Sequence, residues 1–221
     1  MGLPFPKELA PLGPGRFLID SCLDLVERFR EDKRILSSDG IRILLLDNGL
    51  RGQTDAHIRE RFPDISLARV RQRPDNMDMT TAVMELVPWF SEVNILLLPD
   101  AIYESRENPL SPLVTEVLAR SFAFGAVRTD HPENLGALLT EGDRCREFQD
   151  KPGMPGAFNA AWTMLGFSPD LYGTTMLDII RRSALKITSG PVSFQCGVVW
   201  IDGYRDCGTW ENYLTELRKS E

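Results

Sequence analysis

The stretch Ile41-Arg42-Ile43-Leu44-Leu45-Leu46-Asp47-Asn48-Gly49 decides how the first half of the chain is read. An apolar run of this length, stopped by an Asp-Asn-Gly turn, predicts a buried strand. Upstream of it, Leu18, Cys22, Leu25, Val26 and Phe29 recur at helical spacing between Phe17 and Arg30, with charged residues on the other face. Downstream, a short polar helix is expected around Thr54 to Arg61 and a second strand over Ile65 to Arg71. An amphipathic helix over Thr80 to Phe90 and an apolar strand over Val93 to Leu98, ended by Pro99-Asp100, follow. Strands alternating with helices predict a parallel sheet. Ligands of such sheets sit beyond the carboxyl ends of the strands, where Asp47, Gln72 and Asp100 all fall. The second half is less regular. Strands are expected over Phe122 to Arg128, Cys145 to Gln149, Trp162 to Phe167 and Gly197 to Ile201, with helices over about Thr174 to Ala184 and Trp210 to Arg218.

With 221 residues, 43% of them hydrophobic and 26% charged, the chain has the composition of a globular domain with one sizeable core. A net charge of −7 argues against binding nucleic acid through counterion release or docking on an anionic membrane. No window approaches the roughly 20 apolar residues of a membrane span, and Met1 to Lys7 lacks the apolar run of a signal peptide, so a cytoplasmic protein is expected. Cys22, Cys145, Cys196 and Cys207 form no C-x-x-C pair and are expected to be buried or half-buried free thiols. The histidines, His57 and His131, lie far apart and are expected at the surface. A Ser-His or Cys-His hydrolase therefore has little to draw on.

Chemistry concentrates in four short stretches where the apolar pattern stops. They are Pro6-Lys7-Glu8-Leu9, Leu98-Pro99-Asp100, Asp150-Lys151-Pro152 and Asp206-Cys207-Gly208-Thr209-Trp210-Glu211. Two loop carboxylates far apart in sequence suit a divalent-cation site for phosphates, because Mg²⁺ takes one or two protein carboxylates together with phosphate oxygens. Two lysines would neutralise phosphate charge. In their order along the chain these stretches resemble the nucleotidyltransferases that join a nucleoside triphosphate to a sugar 1-phosphate and release pyrophosphate. Pro6 to Gly13 resembles that family's PKEL-x-PLG stretch, and Val70-Arg71-Gln72 its strand ending in a base-reading glutamine. Leu98-Pro99-Asp100 resembles its first metal-ligand strand end, in the LPD variant frequent among uridylyltransferases. Phe124 to Val127 and Phe148-Gln149-Asp150-Lys151-Pro152 resemble a strand and the E-K-P element that holds the sugar phosphate. Ala161 to Phe167 resembles the strand that follows, and Tyr204 to Tyr213 the D-x-G-T-W-x-x-Y element with the second metal ligand.

The resemblance implies an α/β, Rossmann-like, mostly parallel mixed sheet flanked by helices, of the glycosyltransferase-A-like nucleotidyltransferase kind. It implies one domain over 1–221, with a nucleotide half over about 1–103 and a sugar-phosphate half over about 104–221. By resemblance, Asp100 and Asp206 hold Mg²⁺, Lys7 contacts the nucleotide phosphates and Gln72 the base edge, while Asp150 and Lys151 serve the sugar phosphate. The implied partners are a nucleoside triphosphate, UTP or dTTP, and a sugar 1-phosphate; association into homo-oligomers is left open. A reading from another class is a non-catalytic relative that binds a nucleotide or nucleotide sugar as a sensor or partner subunit.

The sequence also departs from the family. Members open with a buried strand and a G-x-G-T-R loop ahead of the P-K element, whereas here Met1 stands six residues ahead of Lys7, so the expected sheet lacks that first strand. The loop's backbone N–H groups wrap the triphosphate, and its arginine stabilises the departing pyrophosphate. Asp78-Met79-Thr80-Thr81 stands where the family has a glycine pair after the glutamine, and Asp150 replaces the E-K-P glutamate. This 221-residue chain is therefore expected to bind a nucleotide sugar more tightly than a free triphosphate. Calorimetric titration with both ligands checks this, and tighter triphosphate binding would contradict it.

Overall fold

The computed structural model describes residues 6–32, 40–47, 49, 51–73, 82–83, 85–132, 135–153, 156–169 and 196–219. In chain order a short 3-10 turn at Lys7–Leu9 leads into β1 (Pro11–Gly13), β2 (Arg16–Phe17), α1 (Asp20–Glu31), β3 (Arg42–Asp47), α2 (Gly52–Arg61) and β4 (Ser66–Arg71). Then come β5 (Asn94–Leu97), β6 (Ala101–Glu104), α3 (Leu110–Arg120), β7 (Phe122–Arg128), β8 (Gly136–Glu141), β9 (Arg144–Asp150) and β10 (Ala160–Phe167). The described chain closes with β11 (Cys196–Trp200), β12 (Gly203–Asp206) and α4 (Trp210–Lys219). The residues group into two compact units. One comprises Met1–Phe90, Pro99–Ile102 and Arg205–Glu221, the other Ser91–Leu98 and Tyr103–Tyr204.

In the first unit β3 and β4 pair in parallel from Arg42↔Ser66 to Asp47↔Arg71, as the alternation of strand and helix predicts. Leu9, Ile19, Leu23, Leu45, Ile58 and Phe62 form one of its two apolar clusters, and Ala10, Leu18, Cys207 and Tyr213 the other. Asp20 opens α1. Its Oδ2 accepts the Phe17 N–H at 2.7 Å, and its Oδ1 meets the Arg61 guanidinium at 3.1 Å and His57 Nε2 at 2.7 Å. Arg61 also reaches Asp24 at 2.5 Å and Glu27 at 2.7 Å, so one guanidinium on α2 ties down three carboxylates of α1. Burial alone would raise the Asp20 carboxyl, but the Phe17 N–H and the His57 and Arg61 side chains outweigh it and hold the group below its ordinary value. His57 thus departs from the expected surface position. Its ring stands edge-on to Phe17 at 5.1 Å and its side chain is 20% exposed.

The second unit corrects the expectation of a mostly parallel sheet. Its six strands lie in the order β5-β10-β7-β11-β9-β8, and β10 also pairs with β8, closing part of the sheet into a barrel. Within it β7 and β11 run parallel, whereas the other pairings are antiparallel. Hydrophobic periodicity reports burial and says nothing of strand direction. The β8–β9 hairpin, turned at Gly142 with φ +59°, is the element whose omission misleads. Helix α3 was equally unanticipated; it buries Leu110, Leu113, Val114 and Val117 against the sheet. All four cysteines are buried free thiols, as expected. The helix expected over Thr174 to Ala184 lies outside the described residues. That over Thr80 to Phe90 does so in part, and its described end is a 3-10 turn at Val87–Trp89.

Gly136 pairs with Asp150 at the end of the β8–β9 ladder, directly beneath the Trp162 indole. A Cβ there would lie 1.7 Å from Trp162 Nε1. Gly136→Ala is expected to cost about 1–3 kcal/mol through forced repacking, read as a lowered urea midpoint with an unchanged slope.

Candidate active site

Three of the residues singled out from sequence, Lys7, Asp100 and Asp206, lie in the first unit, and the structure links them. The Lys7–Leu9 turn is closed by Leu9 N–H to Pro6 O at 2.9 Å and Ala10 N–H to Lys7 O at 3.0 Å. Leu9 and Ala10 are buried in the two apolar clusters of the unit. Between Lys7 and Leu9, Glu8 turns inward, and its backbone carbonyl accepts the Ile19 N–H at 2.9 Å. Its carboxylate accepts Thr54 Oγ1 at 3.0 Å and meets Arg51 Nη1 at 3.3 Å. With its neighbour anchored this way, Lys7 projects a partly exposed side chain.

The Lys7 ammonium donates to Asp100 Oδ2 at 3.0 Å and to the Gly208 carbonyl. Asp100 follows Pro99 beyond the end of β5, and its own carbonyl accepts the Cys207 N–H at 3.0 Å. Asp206 ends β12, and its Oδ1 accepts the Gly208 N–H at 2.8 Å, an Asx turn that leads into α4. A Cβ on Gly208 would lie 2.6 Å from that same Oδ1, so a larger residue would displace the carboxylate from the turn. Beneath these groups Cys207 is fully buried with Ala10, Leu18 and Tyr213. Burial, then the Glu216 and Asp206 carboxylates, push its thiol up to about 11. Cys207 is packing, with no thiolate chemistry at neutral pH. The Tyr213 hydroxyl donates to Pro11 O at 2.6 Å, fastening α4 to β1.

Gln72 follows β4 and donates its N–H to Asp47 O at 2.8 Å, which aligns the ends of β3 and β4. Beside it the Asp47 carboxylate, 7% exposed by residue, accepts N–H groups from Gly49 at 2.8 Å and Arg51 at 3.0 Å, with Arg69 Nε at 3.3 Å. Asp150 and Lys151 belong to the second unit. Asp150 is the last residue of β9, and Lys151 donates its N–H to Leu135 O at 2.8 Å while holding φ +45°. Its side chain is exposed.

Sequence reasoning did not anticipate the Glu8–Thr54–Arg51 contact or the Gly208 carbonyl. The first had a signal, an acid inside an apolar Pro-Lys-Glu-Leu stretch; the second is a backbone atom that side-chain pattern cannot reveal. Among the described residues no group of three or more His, Cys, Asp or Glu could enclose a metal ion. A divalent ion at Asp100 and Asp206 would complete its shell with phosphate oxygen and water, which is the habit of Mg²⁺. The donors present, two carboxylates and a carbonyl, are the hard oxygens that ion takes. Among the described residues no helix is long and apolar enough to cross a membrane.

No family model and no curated protein matches the chain by sequence. The architecture, mixed α/β with a sheet and flanking helices, is nevertheless similar to that of solved nucleotidyltransferases. The structure is similar to one described as a glucose-1-phosphate thymidylyltransferase from Bacillus anthracis in complex with a sucrose, with a TM-score of 0.73 and 14% identity over 98% of this chain and 87% of that one. A UDP-glucose pyrophosphorylase complexed with UDP-glucose gives 0.71 and 12% over 97% and 90%. A UDP-glucose pyrophosphorylase from Acinetobacter baumannii with UTP bound gives 0.65 and 16% over 98% and 86%. These neighbours are sugar-1-phosphate nucleotidyltransferases, and at such identities the likeness establishes the fold.

Burial alone would raise the Asp47 carboxyl, but the Arg51 and Gly49 N–H groups, then Arg69 and Arg51 charge, hold it below its ordinary value. A depressed folded-state value means a contribution fully present above the unfolded carboxyl pKa of about 3.9 and lost as pH falls through the folded value. Asp47→Ala strands two backbone N–H groups and is expected to lower stability by about 1–3 kcal/mol at pH 7. Chemical denaturation at stepped pH should show that deficit narrowing below about pH 4.

Proposed function

We propose that this chain is a nucleotidyltransferase that joins UTP or dTTP to a sugar 1-phosphate with release of pyrophosphate. The observation that carries the reading is the Lys7–Asp100 ion pair closed onto the Asp206–Gly208 turn, in a fold shared with sugar-1-phosphate nucleotidyltransferases. In this reaction an oxygen of the sugar phosphate forms a bond to the α-phosphorus as the bond from that phosphorus to the β-phosphate oxygen breaks, and pyrophosphate leaves. The attacking oxygen is already anionic, so alignment and charge neutralisation take the place of a general base. That suits a site built from lysine and aspartate.

Asp100 and Asp206 would hold Mg²⁺, which when bound supplies charge neutralisation and a template for the phosphate oxygens. Lys7 would contact the nucleotide phosphates. Gln72, whose backbone is fixed by Asp47 at the strand end, would meet the base edge that uracil and thymine share. In the second unit Lys151 would take the charge of the sugar phosphate, with Asp150 toward the sugar.

A pyrophosphate-release assay over a panel of nucleoside triphosphates and sugar 1-phosphates tests the proposal. Turnover is expected with UTP or dTTP, and Asp100→Asn or Asp206→Asn should each lower kcat about 100-fold or more while leaving the circular-dichroism melt in place. Absent turnover accompanied by tight binding of a nucleotide sugar would overturn the enzyme reading in favour of a non-catalytic binding protein.

A further inference from the structure

We infer that the Lys7 ammonium is the resting counter-ion of the cation site, and that a divalent ion enters only by displacing it from Asp100. The inference rests on the reading that Asp100 and Asp206 are the cation-holding pair, and it adds a gate that the reading does not contain. Lys7 Nζ lies 3.0 Å from Asp100 Oδ2 and also donates to the Gly208 carbonyl. It therefore takes two of the oxygens that a hard cation at this turn would use. Among the described residues no other cationic side chain pairs with Asp100 or Asp206; Arg205, next in sequence to Asp206, pairs with Glu216 at 2.6 Å.

The geometry makes the two cations alternatives. A Mg²⁺ or Mn²⁺ ion sits about 2.0–2.2 Å from a carboxylate oxygen, so with the ammonium in place it would share Oδ2 with a positive group at hydrogen-bond distance. Like charges that close disfavour each other by amounts that shift binding or ionisation equilibria about 10- to 1,000-fold. Lys7 is free to leave. Its side chain is 41% exposed, and its backbone is held independently of the ion pair by the turn bonds to Pro6 and Ala10 and by the buried Glu8 beside it. Once displaced, the ammonium becomes available to an anion at the same site, so arrival of the metal and release of the phosphate-binding lysine are one event.

The experiment measures Mn²⁺ binding to the full 221-residue chain without nucleotide, by the electron paramagnetic resonance signal of free Mn²⁺. Lys7→Met and Lys7→Gln are each expected to bind Mn²⁺ at least about tenfold more tightly than the unaltered chain. Lys7→Arg, which keeps the charge, should stay as weak as the unaltered chain. Adding Asp100→Asn to Lys7→Met should remove the gain. Melting curves confirm that each variant is folded, and the two neutral replacements check each other. Equal or weaker Mn²⁺ binding in both neutral variants would overturn the inference. So would a gain that survives Asp100→Asn, or absence of Mn²⁺ binding in every form. Turnover is not the readout. A Mn²⁺ gain in a chain that catalyses nothing supports the gate and counts against the proposed reaction alone, whereas an active chain without the gain sinks the gate alone.

Discussion

The buried Glu8 carboxylate is the constraint on which the first unit depends. An ionised carboxylate out of water is costly unless it is paired and hydrogen-bonded. Glu8, 4% exposed, has Thr54 and Arg51 as partners. Those partners lie at the start of α2, so satisfying the acid pins that helix to the turn carrying Lys7. The Glu8 carbonyl binds the entry to α1, and Ala10 O receives the Leu18 N–H at 3.0 Å. The Lys7–Leu9 turn and the entries to α1 and α2 thereby meet at Glu8. Lys7 thereby inherits a defined backbone position.

The second unit is organised instead by the bulge in β10. The β10–β7 register shifts between Trp162 and Met164, which leaves Thr163 out of the ladder at a fully buried position. Buried backbone polar groups need partners, and side chains supply them. The Tyr103 hydroxyl donates to Thr163 O at 2.9 Å, and Thr163 Oγ1 donates to Gly125 O at 3.2 Å. With those groups satisfied, β10 can keep β7 along its length and still turn Ala160 and Ala161 to β8. Closure of the barrel thus follows from one extra residue and two hydroxyls.

What could be read from the chain beforehand follows from what side-chain pattern encodes. Arg42–Asp47, Ser66–Arg71 and Phe122–Arg128 are visible as strands because apolar content and turn residues mark them. The parallel β3–β4 pair is legible because α2 joins its strands. Direction in the barrel is marked only at β8–β9, where the two-residue Gly142-Asp143 link is too short for a crossover and dictates a hairpin; the apolar pattern of β7, β10 and β11 carries no direction. Pro112 hides α3, although proline in a first helical turn removes no intrahelical bond. At the site, Lys7, Asp100 and Asp206 were legible as charged residues where apolar runs end. Their meeting was carried only by resemblance, because the distance between positions 7, 100 and 206 in sequence says nothing of their distance in space. That Lys7 bonds Asp100 itself is evident only in the folded chain.

Lys151 sits on strained backbone. It holds φ +45° immediately before Pro152, a combination disfavoured twice, by the clash of its Cβ in the left-handed region and by the restriction proline imposes on the preceding residue. Strain of this kind costs about 1–3 kcal/mol, and a glycine would relieve most of it. The fold supplies a reason for the backbone shape, since the Lys151 N–H must reach Leu135 O just past the Asp150–Gly136 pair. It supplies none for the side chain, which is exposed. Packing therefore does not account for a lysine at this position. In the proposed reaction the sugar phosphate would be the group that this exposed ammonium meets.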